Sequence, residues 1–74
     1  MSTTPTRVEY MDYDTTGKLN QCTGDRCIVI LDGRRSLSGL IDDAHECNGI
    51  RRPSYPAFRI FKGDRALTDV IRSF

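Results

Sequence analysis

The chain lacks several features that would point to catalysis or to a membrane. It has no tryptophan and one histidine, His45, so a nucleophile would have a single imidazole available as its base. No glycine-rich phosphate loop is present. The longest apolar run covers residues 27–31, far short of the roughly 18 residues that span a bilayer. The sequence therefore predicts a protein that is not an enzyme and has no membrane partner.

Cysteine is also scarce. An odd number of cysteines, three, argues against a closed disulfide framework and agrees with a reducing compartment. Residues 1–7 contain no hydrophobic segment of the signal-peptide type. We therefore expect a cytoplasmic protein.

The few cysteines leave one cofactor to consider, which is zinc. Cys22, Cys27, His45 and Cys47 would supply a Cys₃His ligand set, and so short a chain would gain stability from a bound metal. Neither the first pair nor the second has the tight spacing of a zinc knuckle. Cys27 also lies in an apolar run, where a free cysteine is commonly a small core residue. The sequence predicts no cofactor, with zinc as the weaker alternative.

Short strand patterns separated by glycine turns make up most of the chain. The run 26–31 is rich in β-branched residues and apolar on both faces, which predicts the central strand of a sheet. The Asp32-Gly33 pair that follows is a hairpin signal. Residues 7–13 and 57–62 alternate as further strands, and 18–23 is a weaker one.

Two segments remain open between helix and strand. Leu37, Leu40, Ile41 and Ala44 have helical spacing, and Ser36 or Ser38 can cap the start. Leu37, Gly39 and Ile41 also alternate as the second arm of a hairpin at Asp32-Gly33, and this signal favours a strand through Ile41 with a short helical turn at 42–47. Residues 65–74 fit a helix by spacing and a strand by composition.

The strand patterns predict one small, mainly β domain. Residues 1–6, rich in serine, threonine and proline, are predicted to be a flexible tail, and residues 7–74 form the domain. We expect an antiparallel five-stranded barrel of the SH3 or Sm type, which leaves few exposed sheet edges, with room for one short helix within 36–48. The alternative is an α+β fold in which an antiparallel sheet carries one helix.

Two stretches resemble the WYL domain, a family with an Sm-like barrel. Val8-Glu-Tyr10-Met-Asp12 followed by Gly17 is similar to the opening strand and turn of that family, and Arg59-Ile-Phe61-Lys62-Gly-Asp64-Arg65 to its closing signature. Gly33-Arg-Arg-Ser-Leu37 stands in the place of the namesake motif, with Arg35 and Ser36 at the tryptophan and tyrosine positions. The resemblance implies a module that senses ligands or nucleic acid, with Arg59, Lys62 and Arg65 contacting an anion or a single strand.

Basic residues are the remaining functional candidates. Residues 1–25 carry two basic and four acidic side chains, whereas residues 26–74 carry nine basic and six acidic. Arginine suits bidentate contacts with phosphate and stacking on bases, and aromatic residues among arginines are typical of single-strand binding. The candidates for binding nucleic acid or another anion are Arg34, Arg35, Arg51, Arg52, Arg59, Lys62 and Arg65.

Two functional hypotheses follow from these observations. The first, slightly favoured by the short chain and its acidic first third, is a regulatory module that inhibits or modulates a larger machine that handles nucleic acid, as small phage-type barrels do. Its partner would be a larger protein. The second is a module that binds single-stranded nucleic acid or an anionic ligand through an arginine-rich end.

Overall fold

The computed structural model describes residues 5–22, 24, 27–50 and 54–73. The elements follow in the order β1 (Thr6–Tyr13), β2 (Leu19–Gln21), β3 (Ile28–Leu31), α1 (Leu37–Ile50), β4 (Ala57–Lys62), β5 (Arg65–Ala66) and β6 (Ile71–Arg72). A mainly β fold with one helix is confirmed, as a curled antiparallel sheet that forms a half-barrel. Of the two alternatives for 65–74, the described part adopts short strands. Within the described residues, no helix has the length and apolar character needed to cross a membrane.

The sheet is organised around β1 and β4, which pair along six residues from Thr6 opposite Lys62 to Met11 opposite Ala57. The other edge of β1 pairs with β3 and β2 in turn, and the other edge of β4 pairs with β5 and β6. The prediction that the apolar run at 26–31 is the central strand is therefore wrong. β3 pairs only with β1 among the described strands.

The core lies between α1 and one face of the sheet, here called the inner face. Val8, Tyr10, Phe58 and Ile60 are fully buried there, because alternate residues of a strand point to the same side. The hydroxyl of Tyr10 donates to the Ala44 carbonyl on α1 over 2.8 Å. This bond satisfies the polar end of a buried ring and fixes the helix against the sheet.

Ser36 caps the start of α1, in a segment for which the sequence favoured a strand. The Gly39 amide donates to Ser36 Oγ over 3.3 Å, and the Leu40 amide donates to the Ser36 carbonyl over 2.9 Å, as expected of an N-cap. A strand through Ile41 was thus a wrong prediction. Asp32 and Gly33 do not form a hairpin: the Asp32 carboxylate accepts from the Arg34 amide, and the chain turns into the helix.

Gly33 is needed for close approach to β1. A β-carbon built at Gly33 would lie 2.8 Å from Oγ1 of Thr6, a distance that requires one of the two groups to move. The turn between β3 and α1 therefore passes directly against the first residue of β1. Of the predicted tail, residues 1–4 lie outside the described residues, and Thr6 already belongs to β1.

One disulfide corrects the prediction from the odd cysteine count. Cys22 and Cys27 are bonded, with their α-carbons 5.8 Å apart, and Cys47 is the free cysteine of the described residues. The bond closes the short loop between β2 and β3. It therefore ties together the two strands that share one edge of β1.

Candidate binding surface

The exposed side of β3 carries two solvent-exposed aliphatic residues within one short strand. Ile30 is 65% exposed and Ile28 is 39% exposed, although both lie within a strand. Their neighbours Val29 and Leu31 pack against the core. β3 thus presents aliphatic side chains to solvent on one face and a strand edge that no other described strand pairs with.

Register places both isoleucines on the outer face of the sheet, opposite to α1. Ile28 lies opposite Glu9 and Ile30 lies opposite Arg7 on β1. Arg7 and Glu9 alternate with the core residues Val8 and Tyr10 and so point away from the helix. The isoleucines therefore lie on the same face of the sheet as the charged side chains of the neighbouring strand, β1.

A charged and aromatic cluster occupies the middle of that outer face. Arg7 binds the Glu9 carboxylate through Nε at 2.7 Å and Nη2 at 2.6 Å, and Gln21 donates to the same carboxylate. The guanidinium carbons of Arg7 and Arg59 lie 5.1 and 5.0 Å from the ring centroid of Phe61, within cation–π range. These contacts hold Arg7 and Arg59 against the sheet and leave the isoleucines as the apolar part of the face.

A cavity opens at the end of β3, beside the start of β1 and the end of β4. Its volume is about 740 Å³. Ile30 and Leu31 of β3 form part of its wall, and its two charged lining residues, Arg34 and Lys62, are both basic. Pro5, Thr6 and Gly33 complete the lining. The cavity is therefore continuous with β3 and electropositive.

Asp32 partly offsets the charge at this end. Arg34 Nε lies 3.3 Å from the Asp32 carboxylate, and the Arg34 side chain is almost fully exposed. The Arg34 amide, followed by its guanidinium, lowers the pKa of Asp32, which therefore stays ionised. Arg65 lies opposite Lys62 across the β4–β5 hairpin and adds positive charge close to the cavity.

The structure brings only part of the predicted basic set together. Arg34, Lys62 and Arg65 share one end of the sheet. Arg35 instead pairs with Asp43 on α1 at 2.9 Å, and Arg59 lies on the outer face against Phe61. The predicted positions Arg51 and Arg52 lie outside the described residues.

The two aromatic residues that follow Arg51 and Arg52 in the sequence, Tyr55 and Phe58, pack against the core. Phe58 is fully buried. Tyr55 stacks on Tyr10 with ring centroids 5.2 Å apart. Base stacking at this end would need other rings.

The four residues of the alternative zinc set do not form a ligand cluster. The sulfurs of Cys22 and Cys27 are bonded to each other, and the His45 ring packs edge-on against Phe58 at 5.0 Å. The Sγ of Cys27 also lies 3.6 Å from the Tyr55 hydroxyl. Among the described residues, no group of three or more histidine, cysteine, aspartate or glutamate side chains is placed to hold a metal ion.

Sequence reasoning missed the surface role of Ile28 and Ile30. Five consecutive apolar residues are typical of a strand buried on both faces, and nothing in the run itself marks one face as exposed. The signal that could have indicated their exposure is the length of the other strand patterns in the sequence. Residues 7–13 and 57–62 form longer alternating patterns, and longer strands are better suited to the centre of a sheet.

Comparison with known proteins adds no relative: the chain matches no protein-family model, no curated protein and no solved structure at a significant level.

Proposed function

We propose that the protein is a non-enzymatic binding module that takes up an extended segment of a protein partner along β3. The observation that carries this proposal is the exposed apolar edge strand, with Ile28 and Ile30 in solvent. An unpaired strand edge offers backbone donors and acceptors to a second chain. Strand addition uses these groups for affinity and alternate side chains for specificity. Regulation of a larger machine by this means remains the expected context.

The second candidate function is binding of nucleic acid or another anion at the basic end. The cavity between Arg34 and Lys62 favours it. Two observations argue against the binding of single strands there: Arg35 is paired with Asp43, and Arg59 lies on the outer face. Phosphate binding would show itself as an affinity for a short labelled RNA or DNA that falls steeply with salt, because bound counterions are released.

Strand pairing can be tested without the natural partner, by selecting binders from a random peptide library that is displayed on phage. Peptides enriched on the wild-type protein should be rich in β-branched residues, since these suit an extended backbone. Their binding should weaken on a variant carrying Ile28→Thr and Ile30→Thr. Threonine keeps the β-branched shape of the strand but removes apolar surface.

Val70→Thr is the matched control, because Val70 is also a partly exposed aliphatic residue, at 41%, and lies outside β3. Selected peptides should bind this variant as tightly as the wild type. Failure to enrich any peptide would overturn the proposal, as would equal binding of enriched peptides to the β3 variant.

A further inference from the structure

We infer that the partner segment carries an acidic residue ahead of its apolar strand, and that this residue enters the cavity between Arg34 and Lys62. This inference rests on the proposed pairing along β3. It adds the chemistry and the direction of the bound segment, neither of which the exposed strand alone provides.

The path of β3 connects the two parts of the site. β3 runs from Ile28 towards the cavity, and its last two residues, Ile30 and Leu31, line the wall. A segment paired with β3 and continued beyond Leu31 therefore reaches the end of the sheet at which the cavity opens. The next side chains of that segment lie within reach of Arg34.

Charge complementarity identifies the side chain that suits the cavity. Both charged lining residues are basic, and Arg65 faces Lys62 across the neighbouring hairpin. Asp32 engages the Nε of Arg34, and the exposed guanidinium of Arg34 retains further donors for a second carboxylate. An aspartate or glutamate of the partner is therefore attracted, and a lysine is repelled.

Strand direction sets the order of the two features in the partner. Every strand pair in this sheet is antiparallel, and antiparallel pairing is slightly more stable per residue than parallel pairing. A segment antiparallel to β3 begins at the Leu31 end. Its acidic residue therefore precedes its apolar residues in sequence.

A second copy of the chain is a weaker occupant for this edge. Four residues of β3 offer a small contact, whereas specific stable interfaces bury about 1,200 Å² or more. A peptide that adds charge contacts in the cavity gains affinity that an isolated β3–β3 pair lacks.

Three synthetic hexapeptides, acetylated and amidated, test the inference by isothermal titration calorimetry. The first has two glutamates followed by Val-Thr-Val-Thr, the second replaces the glutamates by glutamines, and the third places the glutamates after the apolar part. The first should bind the wild type about fivefold more tightly than either of the others, as expected of one or two exposed ion pairs.

A variant with Arg34→Ala and Lys62→Ala should lose this preference and keep its affinity for the glutamine peptide. Lys18→Ala is the matched control, because Lys18 lies in the β1–β2 turn at the opposite end of β1; it should leave all three affinities unchanged. Equal binding of all three peptides to the wild type would overturn the inference and leave the strand proposal standing.

Binding of none of the three peptides would overturn both proposals. Tighter binding of the third peptide than of the first would overturn the predicted direction. The protein alone could also sediment as a dimer that the Ile30→Thr substitution dissociates. That result would assign the edge of β3 to a second copy and overturn the inference.

Discussion

At the scale of single residues, Asn48 joins three separate segments. Its Nδ2 donates to the Tyr55 carbonyl and to Ser73 Oγ, each over 2.9 Å, and its Oδ1 accepts from the Tyr55 amide over 2.8 Å. Asn48 is buried in the last turn of α1, where its amide satisfies backbone groups of the following loop.

Asn48→Ala should lower the free energy of unfolding by about 3 kcal/mol, because it leaves two partly buried backbone groups of Tyr55 without this partner. Urea unfolding followed by circular dichroism measures the change. Glu46→Ala, at an exposed position of the same helix, should change stability by less than about 0.5 kcal/mol. A loss below about 1 kcal/mol for Asn48→Ala would show that the loop does not depend on this side chain.

Asp14 organises the β1–β2 turn through four hydrogen bonds to its carboxylate. Thr16 donates through its hydroxyl at 2.6 Å and its amide at 2.8 Å, the Lys18 amide donates at 3.0 Å, and Asn20 also donates. These bonds, led by that of the Thr16 hydroxyl, lower the pKa of Asp14 below its ordinary value of 3.8. Gly17, with φ of 83°, supplies the left-handed residue that closes the turn.

The turn should therefore stabilise the protein above pH 3.8 and lose this contribution as the pH falls through the lower pKa of folded Asp14. An NMR titration of the Asp14 carboxyl measures the pKa, and Thr16→Val should raise it by removing the hydroxyl donor. A Thr16→Val variant whose Asp14 titrates as in the wild type would contradict this explanation.

At the scale of elements, the Cys22–Cys27 bond constrains the β2–β3 connection. It closes a loop with a sequence separation of five, for which loop entropy gives a stabilisation of about 2 kcal/mol. Cys22→Ser with Cys27→Ser should lower the free energy of unfolding by this amount, and reductant should then have no further effect. Alkylation of three cysteines per chain without reduction, read by mass spectrometry, would contradict the bond.

Element identity was predictable where a periodic pattern was long. The patterns at 7–13 and 57–62 correctly predicted β1 and β4, and Gly63 provides the turn after β4 with φ of 63°. The segment at 37–50 carried both helical and strand spacing, and the Ser36 cap decided in favour of helix. A hydrogen bond to a capping side chain depends on local geometry that spacing alone does not contain.

Strand position was less predictable than strand identity. Five apolar residues at 27–31 could serve a central strand or an edge strand equally well, because periodicity reports which faces are apolar and not which neighbours are present. The cavity could not be predicted either, since Arg34 and Lys62 are distant in sequence and come to line one cavity only through the pairing of β1 with β3 and β4.

At the scale of the whole molecule, the protein combines a closed inner face with an open edge. α1 covers the core on one side, and the cluster around Phe61 occupies the middle of the outer face. β3, with its exposed isoleucines, and the basic cavity at its end lie beside that cluster. We propose that this continuous strip is the binding surface.

The same geometry predicts a monomer in the absence of a partner. β3 alone offers too little area for a stable pair of copies, so sedimentation velocity at tens of micromolar should give the mass of one chain. A dimer that persists in this range would contradict the prediction and move the partner search to the chain itself.

The most direct test of the binding strip is a ¹⁵N-resolved NMR titration with the hexapeptide whose two glutamates precede Val-Thr-Val-Thr. We predict that the amide signals of Ile28–Leu31 shift first, together with those of Gly33 and Arg34, while the β1–β2 turn stays unchanged. Shifts concentrated on α1 or on the turn at Gly17, or no shifts at millimolar peptide, would contradict the claim that β3 is the binding element.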